Sequence, residues 1–166
     1  MKVFKKVLVF LLVVLIVIQF FHPKKNIANG PFAADIAVIY PVPAEVNDVL
    51  KTSCNNCHSN KTNYPWYYNL QPIAWWLNDH IEEGKREVNF NEFGSYRIAK
   101  QYRKLLEIKE QIEEGEMPLT SYTLIHNNAK LNEHQKELMI NWADSLRTII
   151  RSKYPADSLV IKRQKK

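Results

Sequence analysis

The chain has 166 residues, of which 46% are hydrophobic and 24% charged, with 4 Trp, 8 Tyr and 7 Phe. It is too apolar and too rich in rings for a disordered polymer, and it has the length of one domain with appendages. Its net charge of +6 sits at the ends: residues 44–150 hold 12 Lys and Arg against 15 Asp and Glu, which excludes a basic nucleic-acid face as the default reading of the folded part. In chain order, Val7 to Phe21 is apolar except for Gln19, and Lys2, Lys5 and Lys6 precede it. Counted from Val3 the stretch spans 19 residues, roughly 28 Å of helix at ~1.5 Å per residue. Residues 1–22 are therefore predicted as a signal anchor, a single-pass helix in a bacterial inner membrane with the rest of the chain on the periplasmic side. The competing reading is a cleaved signal peptide. Ala28-Asn29-Gly30 supplies small residues for cleavage, but Pro31 follows directly.

Residues 23–43 contain Pro23, Gly30, Pro31, Pro41 and Pro43 without a sustained period and read as a linker. Four helical patterns follow. Ala44 to Ser53 aligns Val46, Val49 and Leu50 on one face. Asn69 to Glu83 aligns Ile73, Trp76, Leu77, His80 and Ile81, with Asn69 as a cap and Gly84 as a stop. Tyr96 to Glu114 repeats Ile98, Tyr102, Leu105, Ile108 and Ile112, and Gly115 ends it. Asn132 to Ile150 repeats Leu138, Trp142, Leu146 and Ile149, with Asn132 and Gln135 in reciprocal capping positions. No stretch alternates with period two. The predicted fold class is all-α, with a helical domain over 44–151 and a basic tail over 152–166.

Cys54-Asn55-Asn56-Cys57-His58 is the segment that carries chemistry by itself. Two thiols three positions apart can each form a thioether to one vinyl group of a haem, and the histidine after them can then ligate the iron. Three other uses of a cysteine pair fit less well. A thioredoxin-like pair needs a strand before it and a parallel sheet around it. A zinc site needs a second Cys/His pair at ligand spacing, which His80, His126 and His134 do not make. A disulfide does not need His58, and two cysteines do not staple a fold of this size.

The segment resembles the attachment motif of c-type cytochromes. The stretch from Cys54 to Leu146 is similar to a bacterial family of small cytochrome c-like haem-binding domains. The similarity rests on the motif with Ser59-Asn60, on Tyr64-Pro65-Trp66-Tyr67, on His80 to Gly84, on Asn89 to Phe93, on Gly115-Glu116-Met117-Pro118 and on Leu131 to Trp142. The resemblance implies a small helical domain wrapped round one covalently attached haem c.

Haem iron has a second axial position, and its occupant decides the chemistry. Met117 is the first candidate, because it follows a helix break at Gly115 and precedes Pro118 and a last helix. The resemblance points to the same residue. His80, on an apolar helix face, is the alternative distal ligand. Met139 reads as core, and His126 and His134 as surface residues. The six rings Tyr64, Trp66, Tyr67, Tyr68, Trp75 and Trp76 are expected to pack the porphyrin. A loop carbonyl near Pro65 is expected to orient His58. Glu110, Glu113, Glu114 and Glu116 read as a solvated face or as an acidic rim for a basic redox partner. The expected function is a membrane-anchored monohaem cytochrome that passes single electrons to other redox proteins, is not an enzyme and binds no nucleic acid. The alternative is a haem peroxidase or small-gas sensor with an open distal position.

Overall fold

The computed structural model of the chain describes residues 2–161. Lys162 to Lys166, the end of the expected basic tail, lie outside the described residues. Helix α1 spans Lys2–Ile18, α2 Ile36–Ile39, α3 Ala44–Val49, α4 Asn55–His58, α5 Ile73–Glu87, α6 Ile98–Glu113, α7 Thr120–Thr123 and α8 Glu133–Lys153. Among the described residues there is no strand, and a single antiparallel bridge joins Ile27 to Lys61. The all-α expectation holds.

The membrane helix does not. Helix α1 is 17 residues long, about 25 Å at ~1.5 Å per residue and short of the ~30 Å hydrocarbon layer. Three of its residues, Lys2, Lys5 and Lys6, are charged. No helix among the described residues is long and apolar enough to cross a membrane. This overturns the predicted anchor over 1–22 and the inner-membrane, periplasmic placement drawn from it. The apolar count was right, but the lysines shorten the apolar part at one end and the helix stops before Gln19 at the other. Beyond that stop the chain is tied down. The Gln19 side chain exchanges hydrogen bonds with the backbone of Gln71 (2.9 and 3.2 Å), and Trp75 Nε1 donates to the Phe21 carbonyl at 2.9 Å.

The stretch expected as a linker is also bound to the body. Asn26 donates through Nδ2 to the Ser59 carbonyl and to Thr62 Oγ1, and its Oδ1 accepts from Lys85 Nζ at 2.9 Å. Asp35 caps α2, whose Ile36 is buried in the core. Prolines made this stretch look like a spacer, yet side-chain hydrogen bonds of single polar residues hold it, and these carry no periodic signal.

The capping chemistry explains the two long helices. Asn132 and Gln135 form a reciprocal capping box at the start of α8. Helix α6 ends at Gly115, whose φ of 75° is the left-handed conformation that favours glycine. The α5 expectation shifts by one turn. Asn69 does not cap it but closes a short turn by donating to Trp66, and the helix begins after Pro72. Gly84 lies inside the helix, which continues to Glu87.

Two apolar clusters result. The larger joins α3, α6 and α8 through Val46, Leu50, Phe93, Leu105, Trp142 and Leu146. The smaller joins Tyr68, Ala74, Leu77 and Ile81. Cys54 packs against the first and Cys57 against the second.

Candidate functional site

The motif lies where one helical pitch gives way to another. After α3, residues Leu50–Cys54 form a wider π turn in which the Asn55 N–H reaches back five residues to the Leu50 carbonyl. Cys54 leaves helical geometry with φ of −120°, and α4 then carries Cys57 and His58. The intervening asparagines hold this shape. Asn56 Nδ2 donates to the Tyr122 hydroxyl at 2.7 Å, and Asn56 Oδ1 accepts from the Asn63 backbone at 3.0 Å. The Asn55 carbonyl accepts from Ser59 Oγ at 2.6 Å.

Helix α4 rests directly on α5 at Gly84. A Cβ there would stand 2.9 Å from the Cys57 carbonyl oxygen and 3.1 Å from its Cβ. Backbone cannot give way as a flexible side chain can. In an ordinary helix interior Gly→Ala stabilises by about 1 kcal/mol. Gly84→Ala is expected to have the opposite sign, a loss of about 1–3 kcal/mol from overpacking, read as a lowered midpoint in thermal unfolding.

His58 is oriented from α5 as well. Its Nδ1 lies 3.1 Å from the Val88 carbonyl, and a carbonyl only accepts, so Nδ1 carries the proton and Nε2 keeps a free lone pair. Val88 follows the last turn of α5 in extended conformation, which leaves its carbonyl outside the helical ladder. The orienting carbonyl is therefore Val88, thirty positions along the chain, and not the loop near Pro65. Burial lowers the His58 pKa, opposed by its bond to Val88 and by the charge of Glu87. At neutral pH the ring is a neutral donor. Burial, reinforced by the neighbouring Cys57, pushes the Cys54 thiol up to about 12, and burial pushes Cys57 up to about 11. Both cysteines are free, protonated thiols.

These residues open onto one cavity of about 570 Å³, within the roughly 300–1,000 Å³ of ordinary cofactor clefts. Cys54, Cys57 and His58 line it together with His80 and Gly84 of α5, Ile108 and Ile112 of α6, and Met117. All five candidate site residues thus meet at one place. Met117 is held by backbone: its N–H and that of Glu116 both bond to the Gln111 carbonyl, at 3.1 and 3.0 Å. The Gly115 turn and these two bonds set where the methionine backbone stands. His80 bonds through Nδ1 to the Trp76 carbonyl at 2.8 Å and packs on the Trp76 ring, with centroids 4.4 Å apart. Among the described residues, no three of His, Cys, Asp and Glu converge as they would on a bare ion. A macrocycle, which brings four ligands of its own, would need only one or two further donors from the protein, and imidazole and thioether groups line the cavity. Thiols, imidazole, thioether and apolar walls fit haem.

The profile of the haem-binding domain family matches residues 13–145. The chain belongs to this haem-binding family. No curated protein and no solved structure matches it. The family match takes in the expected linker, in keeping with the hydrogen bonds of Asn26.

Within this haem-binding domain several expectations change place. None of the six rings Tyr64, Trp66, Tyr67, Tyr68, Trp75 and Trp76 lines the cavity; Phe90 and Tyr122 do. Tyr68 is buried in the smaller cluster, while Trp66 is 77% exposed. Local density of rings in sequence did not translate into contact: Tyr64, Tyr67 and Tyr68 belong to the smaller cluster, and Trp66, Trp75 and Trp76 are exposed. His126 is not a plain surface residue. Its Nε2 lies 2.7 Å from the Tyr67 hydroxyl, and its ring stacks on Tyr122 at 4.4 Å. Met139 is core, as expected, but its side chain also reaches the cavity wall. The four glutamates at the end of α6 are exposed and lie outside the wall. Sequence reasoning missed Gly84, Val88 and Lys104. Only Gly84 left a signal: a glycine inside an unbroken helical pattern implies a close backbone approach.

Proposed function

We propose that this domain is a monohaem c-type cytochrome that carries single electrons between redox proteins. The observation that supports this reading is the convergence of Cys54, Cys57, His58 and Met117 on one cofactor-sized cavity. Cys54 and Cys57 would hold the haem through thioethers, each formed by addition of a thiol S–H across one vinyl group with nothing else consumed. His58 would offer Nε2 to the iron, while Val88 holds Nδ1–H and fixes the ring plane. Met117, which lines the same cavity, would offer its thioether to the iron, and a neutral, polarisable sulfur favours the ferrous state. Bound haem supplies an iron that gains and loses one electron. Ile108, Ile112, Leu131 and Phe90 exclude water, and a dry surrounding disfavours the more highly charged ferric form. With His58 and Met117 both bound to it, the iron would have no position left for a substrate.

A second reading keeps the haem but opens the distal position, with His80 as the acid–base group of a peroxidase or the neighbour of a bound gas. His80 supports it by lining the cavity with Nδ1 already engaged. Optical spectroscopy of the purified protein decides between them. A low-spin spectrum in both oxidation states and a one-electron redox titration are expected. A high-spin ferric spectrum that changes on adding peroxide or carbon monoxide overturns the electron-carrier reading.

A further inference from the structure

Lys104 of α6 is the one cation in the cavity wall among the described residues. Its side chain is only 13% exposed, and its ammonium bridges two carboxylates, Glu87 Oε2 of α5 at 2.8 Å and Glu107 Oε2 at 2.6 Å. Glu87 and Glu107 line the cavity too. Arg103 holds Glu107 from the solvent side, and Arg86 and Lys100 stand near Glu87. Neither the cysteines nor the axial candidates use this cluster. Glu87 and Lys104 line the same cavity as His58, and Glu87 directly precedes Val88, whose carbonyl holds that ring. Charges on the wall of a low-dielectric cavity act far more strongly than on an open surface.

We infer that the Glu87–Lys104–Glu107 cluster sets the reduction potential of the haem held at His58, with Lys104 favouring the ferrous form and Glu87 the ferric form. The inference rests on the haem-binding reading above. Its physical content is the sign. Ferric haem carries one more positive charge than ferrous haem, so a buried ammonium beside it disfavours oxidation and a carboxylate favours it. Lys104 acts twice, through its own charge and by neutralising two carboxylates. Glu87 is 66% exposed, so its share is the smaller. All three are positioning residues, since none needs to touch iron.

The test is a redox titration of the purified full-length haemoprotein and its variants, after covalent haem has been measured as the pyridine haemochrome. Lys104→Gln is expected to lower the potential, Glu87→Gln to raise it by less, and Lys104→Arg to leave it near the wild type. Glu82→Gln serves as the control, since Glu82 is exposed and pairs with Lys85 away from the cavity wall. A purely structural role for the cluster would move stability without giving the two charge changes opposite signs. Shifts of the same sign, or none beyond the control, overturn the inference. Absence of haem from the wild type overturns instead the reading beneath it. Should Lys104→Gln fail to accumulate, a raised potential in Glu87→Gln together with an unchanged Lys104→Arg supports the inference, and an unmoved Glu87→Gln defeats it.

Discussion

Replacing Cys54 and Cys57 together by Ala is expected to abolish covalent haem completely. The wild-type protein should give a haem-stained band at its own mass after denaturing electrophoresis, and the colour should survive acid–acetone extraction. Only carbon–sulfur bonds hold haem through both treatments, and the chain has no cysteines besides these two. The single variants should each keep one bond and hence some colour. Both thiols stand on the wall of one cavity, and both are kept protonated by burial. Colour extracted from the wild type would leave a haem-binding domain but end the c-type assignment. Colour retained in the double variant would do the same.

Met117→Ala is expected to remove the weak sulfur-to-iron band at the red edge of the ferric spectrum. It should also lower the potential by on the order of 0.1 V, a fraction of the roughly 0.8 V that axial ligands span. The direction follows from ligand chemistry: thioether sulfur gives little charge to ferric iron, so losing it removes a bias towards the ferrous state. His80→Ala should leave the band intact. Because Gly115 and the paired bonds to Gln111 fix the Met117 backbone, the substitution should not disturb α6, and unchanged thermal unfolding of the apoprotein checks this. A spin-state change on His80→Ala but not on Met117→Ala would reverse the assignment of the two residues.

The elements that read correctly from sequence are those whose information is local. The Asn132–Gln135 box and the Gly115 stop each lie within a few residues of the helix end they define. The spacing of Cys54, Cys57 and His58 is local too, and the structure brings all three to one cavity. What stayed hidden depends on partners far along the chain. Val88 orients His58, Tyr122 receives Asn56, and Asn26 holds the loop at Ser59 and Thr62. None of these pairings has a period or a spacing that a sequence displays. Gly84 was misread for a related reason. Glycine stops helices and also admits close neighbours, and only the packing of α4 on α5 distinguishes the two. The α1 expectation failed on a margin of a few residues: the lysines lie inside the helix and shorten its apolar part, and the helix ends at Ile18, before Gln19.

The two cysteines are near neighbours in sequence but belong to different apolar clusters, Cys54 to the larger and Cys57 to the smaller. A rigid ring bonded to both would meet the two clusters in the folded state, while the covalent loop it closes, between positions 54 and 57, is only a few residues long. So short a loop restrains the unfolded chain little, and the stabilisation expected of such a ring is its contact with both clusters once the chain is folded. Without that ring the clusters are joined by α4 on Gly84 and by the polar contacts around it, and the smaller cluster, with its four buried residues, is expected to open first.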